Sequence, residues 1–129
     1  MTFLVDANIL IALTLDDHVH HDRATSWVVG AGPIAGCPLV EGALVRFLVR
    51  AGETAATAGA LVEELRKVPS YEWWPDNVSY ADLDLRWVAG HRQVTDAYLV
   101  GLALSRSAVL ATLDERLFRA HPEGVVVIP

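Results

Sequence analysis

The chain has 129 residues, 53% of them hydrophobic, with a single cysteine and a formal net charge of −6. This composition excludes a disordered chain, the lone Cys37 excludes an internal disulfide, and no apolar run reaches the roughly 18 residues of a membrane-spanning helix. The length suits one domain, residues 1–129, large enough to bury a sizeable core.

In chain order, Thr2 to Val5 (TFLV) reads as a short buried strand that runs straight into Asp6. Ala7 to Leu15 and His20 to Val29 read as helices, separated from a second strand, Ile34 to Cys37, by Gly30, Gly32 and Pro33. Pro38 opens a helix at its first position, and that helix runs to about Arg50. Gly52 stops it, and Thr54 to Val68 forms the next, ended by Pro69. Tyr71 to Trp74 (YEWW) is a strand closed by Pro75, and Tyr80 to Ala89 is expected to be helical. Thr95 is placed to N-cap a helix from Asp96 to Ser105. Val109 to Ala111 is a strand, Asp114 to Arg119 a short helix and Val125 to Ile128 a last strand. Short, continuously apolar strands alternating with helices predict a parallel sheet of four or five strands covered on both faces, a three-layer α/β/α unit.

Setting and charge narrow the function less. The first residues have no basic n-region, and Asp6 interrupts their apolar stretch, so no signal peptide is expected. With Cys37 unpaired, a reduced, cytoplasmic setting without a membrane partner is the simplest expectation. An excess of acid argues against a nucleic-acid partner. Yet nine of the ten basic residues are Arg, the side chain suited to bidentate phosphate contacts, and Lys67 is the sole lysine. With four of the sixteen carboxylates assigned to a divalent metal, twelve remain against ten basic residues, a balance of −2. The charge then no longer counts against RNA.

Four acids stand out. In open parallel sheets, active sites lie at the carboxyl ends of the strands. Asp6 directly follows the first strand, and Asp114 follows Val109 to Ala111 after two residues. Each is also well placed to cap the helix it precedes. Glu41 has Leu44, Val45 and Leu48 at i+3, i+4 and i+7, which aligns its carboxylate with an apolar stripe. Asp96 repeats the pattern with Leu99, Val100 and Ala103. An inward carboxylate needs a metal or a cationic partner, and a position near a helix N-terminus favours it only in part. Four such groups at one point would raise one another's pKa unless cations neutralise them. Oxygen-only ligands suit Mg²⁺ or Mn²⁺. The five histidines have no zinc spacing. Such a site activates water for in-line attack on a phosphodiester, with two ions about 4 Å apart where both are held.

Together, LVDANILIAL, the inward Glu41, RQVTDAYLVGLAL and LATLDERLF resemble the PIN-domain nucleases, and more narrowly the VapC toxins of bacterial toxin–antitoxin pairs. Each motif alone is weak, but the ordered set, from Asp6 to Phe118, is specific. The resemblance implies a Mg²⁺- or Mn²⁺-dependent endoribonuclease whose acidic site is Asp6, Glu41, Asp96 and Asp114. It implies that Asn8 supports the first Asp by hydrogen bonding and that Thr112 orients carboxylates. It also implies a homodimer and inhibition by a cognate VapB-type antitoxin. Some relatives carry a further acid one helical turn after the third; here that position is Val100, so the second ion is expected to be weakly held.

Arg46, Arg92 and Arg116 flank the acidic motifs and are candidates for contacts to RNA phosphates, against the plainer reading of surface arginines. Trp73 and Trp74 could stack on bases, but adjacent strand residues face opposite ways, so at least one belongs to the core. A receiver-type signalling domain would need a lysine after a late strand and adjacent N-terminal acids, and the chain has neither. A haloacid-dehalogenase-type phosphatase would need a second Asp where Asn8 stands. A non-catalytic PIN-like binding module would require a site degraded at positions that here keep all four acids.

Overall fold

The computed structural model describes all residues, 1–129. Its elements are β1 (Phe3–Val5), α1 (Ala7–Thr14), α2 (His21–Ala31), β2 (Ile34–Gly36), α3 (Pro38–Arg50), α4 (Ala55–Arg66), β3 (Tyr71–Trp73), α5 (Val94–Ser105), β4 (Val109–Thr112), α6 (Glu115–Ala120) and β5 (Val125–Val127). The five strands form one sheet in the order β3-β2-β1-β4-β5, and every pairing is parallel.

The chain starts at the centre of this sheet and works outward twice. It first steps from β1 through β2 to β3. It then returns across the sheet to β4, on the other side of β1, and ends at β5. Crossovers between parallel strands are right-handed, so the two outward runs place their helices on opposite faces. α1 packs on α2 and α3, and α3 on α4; α5 packs on β4 and β1, and α6 on β5. A crevice opens where the direction reverses, at the carboxyl ends of β1 and β4. Asp6 and Asp114 emerge at those ends.

Local chemistry explains most boundaries. The Asp6 carboxylate caps α1 through the Ala7 N–H, at 2.7 Å. Pro38 supplies the fixed first-turn φ of α3. After α3, Gly52 turns the chain with φ at +108°, where a side chain would be strained. Thr54 caps α4 by accepting from the Thr57 N–H at 3.1 Å. The inward faces then close on one core. Leu4, Ile9, Leu10, Leu44, Leu48, Leu99, Leu102 and Leu110 are essentially inaccessible, and burial of each such side chain stabilises the fold by about 1.5–3 kcal/mol.

Two expected elements differ. Residues 80–89 do not form a helix: only Tyr80–Asp82 make a single 3-10 turn. Side chains there capture the backbone locally. Ser79 Oγ accepts from the Ala81 N–H, Asp84 Oδ1 from the Arg86 N–H, and Gln93 Oε1 from the Ala89 N–H. Such bonds compete with the helical ladder. Thr95 is not the cap of α5, because a 3-10 turn at His91–Gln93 leads directly into a helix that begins at Val94. Trp74 is buried while Trp73 is 42% exposed, so one of the tryptophan pair belongs to the core. No helix is long and apolar enough to cross a membrane.

Candidate active site

Asp6 is the deepest of the acids. Its Oδ1 accepts the Ala7 N–H, and its Oδ2 accepts the Thr112 hydroxyl at 2.9 Å. Burial pushes its carboxyl above the ordinary range; the Thr112 and Ala7 bonds oppose this, and the Asp114 charge adds to it. Asp114 caps α6, with Oδ1 accepting from the N–H groups of Arg116 and Leu117. Both acids at strand ends are therefore helix caps. Capping also fixes where each carboxylate points.

Asp96 sits in the first turn of α5, in line with buried Leu99, Val100 and Ala103. Its carboxyl is pushed up to about 6, by burial first and then by the charges of Asp6 and Asp114; no donor relieves it. Asp6, Asp96 and Asp114 thus share one electrostatic site although they come from three separate elements. Val100, where some relatives have a further acid, faces the core at 2% exposure.

Thr112 is the one buried polar residue of the chain, and it organises the site. Its hydroxyl donates to Asp6 and accepts from the Asp114 N–H at 3.1 Å and from Asn8 Nδ2 at 3.3 Å. Asn8 reaches Asp6 through Thr112: its Nδ2 donates to the hydroxyl that in turn donates to Asp6. The Asn8 Oδ1 atom is buried without a partner.

Glu41 is held apart from this trio. Tyr71 Oη donates to its Oε2 at 2.8 Å and Trp73 Nε1 to its Oε1 at 3.2 Å. Its alignment with buried Leu44 and Leu48 is as expected, but its partners are two neutral donors on the edge strand β3. No cation is among its partners. Periodicity along α3 carries no information about β3, so both donors escaped the sequence reading. Gly36 makes the contact possible: a Cβ there would lie 1.9 Å from Tyr71 Oη. Gly36→Ala is expected to destabilise the fold by about 1–3 kcal/mol and to be partly relieved by Tyr71→Phe, as equilibrium urea unfolding of the single and double variants would reveal.

A cleft of about 250 Å³ opens beside the trio, lined by Arg92, Gln93, Asp96, Asp114, Arg116 and Leu117. Two of the three candidate arginines are there. Arg46 is exposed on α3 and does not line the cleft. Gln93 is a lining residue that no sequence motif marked.

The PIN domain family profile matches residues 3–123. A protein of Mycobacterium tuberculosis named ribonuclease VapC29 is 48% identical over 130 residues, covering 100% of this chain and 98% of its own. The chain belongs to the PIN-domain family, as a VapC-type member. Ribonuclease VapC38 of the same organism is 36% identical over 122 residues, covering 89% of this chain and 86% of its own. Two solved structures show the same fold. M. tuberculosis VapC20, described as a sarcin–ricin loop cleaving toxin, has a TM-score of 0.70 at 16% identity over 92% of this chain and 95% of its own. VapBC2 of Rickettsia felis, bound to a promoter DNA fragment, has a TM-score of 0.67 at 15% identity over 98% and 97%.

The acids of this VapC-type chain suit a hard divalent cation. The donors are all oxygens. Asp6 and Asp96 are both held above their ordinary range by burial and by neighbouring negative charge, which a cation would reverse. The carboxylates border an open cleft and do not form a closed cage: as the side chains stand, no three acidic, histidine or cysteine residues make a ready ligand cluster.

Proposed function

We propose that this VapC-type chain is a Mg²⁺- or Mn²⁺-dependent endoribonuclease, the toxin of a VapBC pair. The observation that carries the reading is the convergence of Asp6, Asp96 and Asp114 at the crevice of the sheet, where the Asp114 charge raises the proton affinity of Asp6 and the charges of Asp6 and Asp114 raise that of Asp96. Sequence identity of 48% to a protein named as a ribonuclease supports RNA as the substrate.

Asp6, Asp96 and Asp114 would hold the ion, with Glu41 as a further acid from the same carboxyl edge of the sheet. When bound, the ion supplies Lewis-acid stabilisation of the phosphate and lowers the pKa of a bound water. Thr112 fixes the Asp6 carboxylate through its donated hydroxyl proton and ties the start of the Asp114 turn to the same point. Arg92 and Arg116, which line the cleft, would take the phosphates flanking the scissile bond. A cognate VapB-type antitoxin and a second copy of the chain complete the assembly in this reading.

Purified protein incubated with structured and single-stranded RNA is expected to cleave only when Mg²⁺ or Mn²⁺ is added, and Asp6→Ala is expected to be inactive. Cleavage that persists in EDTA, or an Asp6→Ala variant as active as the parent, would overturn the assignment.

A further inference from the structure

Glu41 raises a question of chemistry. A part-buried carboxylate kept for stability alone is best paired with a lysine or arginine, which cancels its charge. Glu41 has instead two neutral donors, one on each oxygen. Neutral donors fix the rotamer and leave the full negative charge in place. A carboxylate offers about four lone-pair sites, so one hydrogen bond to each oxygen leaves roughly half of that capacity free.

The arrangement is built from two strands and two helices. Tyr71 and Trp73 are two apart on β3 and so share a face of the sheet. Gly36 pairs with Trp73 across β2 and β3, and its missing side chain is the space through which the Tyr71 hydroxyl reaches α3. Tyr71 is buried at 7% exposure, whereas Trp73 is 42% exposed. The Arg66 guanidinium lies over the Trp73 ring, 5.4 Å from its centroid, and helps to fix the indole plane.

We infer that Tyr71 and Trp73 are positioning residues, which hold Glu41 in one orientation on the carboxyl edge of the sheet that also carries Asp6 and Asp114, with Gly36 clearing the way. The inference rests on the proposed metal-dependent reading. It makes the edge strand β3, which carries none of the acids, part of the working site. Hydrogen bonds that orient metal-binding carboxylates typically govern metal affinity or activity by 10–100-fold.

The test uses the full chain with Tyr71→Phe, Trp73→Phe and both together. Mn²⁺ is titrated without RNA, and its binding is followed by thermal stabilisation. RNA cleavage is then measured across Mn²⁺ concentrations. Each variant is expected to shift the Mn²⁺ midpoint upward by about tenfold or more, with kcat falling at limiting Mn²⁺ and recovering in excess while KM for RNA holds. Trp73→Phe changes an exposed side chain and guards against simple misfolding. Variants that melt earlier without metal but keep the parental Mn²⁺ midpoint would show a purely structural role and overturn the inference. Glu41→Gln and Asp96→Asn separate the two levels. If Asp96→Asn is dead while Glu41→Gln binds Mn²⁺ and cleaves like the parent, the inference falls and the proposed function stands. If Asp96→Asn also cleaves like the parent, the proposed function falls and takes the inference with it.

Discussion

Asp96→Asn is expected to abolish divalent-dependent RNA cleavage and, at the same time, to make the metal-free protein more stable at neutral pH. The two effects have one cause. Asp96 is half-buried beside two like charges and accepts no hydrogen bond, so its carboxyl is held up at about 6 instead of its ordinary 3.8. A carboxyl whose pKa rises on folding binds its proton more tightly in the native state. Its contribution to stability is therefore fullest below about pH 4, and it is lost as pH rises through the native value near 6. Above that value the ionised group destabilises the fold by at most about 3 kcal/mol. Asn cannot ionise, so in EDTA the variant should gain on the parent between pH 4 and 6 and keep the gain at pH 7. Cleavage should fall by more than about a hundredfold, since losing a ligand exceeds the 10–100-fold cost of losing a ligand's support. Urea unfolding at pH 4 and pH 7, beside a Mn²⁺-dependent cleavage assay, checks both halves. A variant less stable than the parent at pH 7 would mean that the fold gains from the carboxylate.

Thr112→Val should be damaging in a different way. The substitution preserves shape but removes the hydroxyl that three groups share. Asn8 Nδ2 and the Asp114 N–H lose their acceptor, and Asp6 Oδ2 loses its donor. Each orphaned buried group costs about 1–3 kcal/mol, and some can turn to water, so a total loss of about 3 kcal/mol is expected. For a chain of this size the melting temperature should fall on the order of 10 °C. Cleavage should drop about 10–100-fold through misplacement of Asp6 and Asp114. Thr112→Ser keeps the hydroxyl and should recover most of both losses. If Thr112→Ser is as impaired as Thr112→Val, packing of the methyl group, and not the hydrogen bonds, is what the site requires.

These two residues mark what a sequence discloses about such a site and what it withholds. Asp96 was legible because α5 repeats every 3.6 residues, which aligns its carboxylate with Leu99, Val100 and Ala103. Asp6 and Asp114 were legible because an acid that follows a buried strand at once or after two residues has few meanings in a parallel sheet. The alternation of strands and helices was enough to give the layered fold. Glu41's partners were not legible. That Tyr71 and Trp73 meet Glu41 depends on β3 lying beside β2 with Gly36 between them, and no local pattern encodes a contact 30 residues away. The stretch from Tyr80 to Ala89 was misread for the opposite reason. Its apolar spacing suits a helix, but Ser79, Asp84 and Gln93 bind the backbone themselves.

The order of the sheet also sets a timetable for synthesis. β1 is made first, yet its central place is complete only when β4 pairs with it, at a distance in sequence of more than 100 residues. Asp6 waits for Thr112, the partner that fixes its second oxygen, across 106 positions. Chains emerge from the ribosome amino end first. On the proposed function, an unfinished toxin beside ribosomal and messenger RNA holds its acids apart, and its chemistry begins only after release. That interval keeps the acids unassembled until β4 has paired with β1.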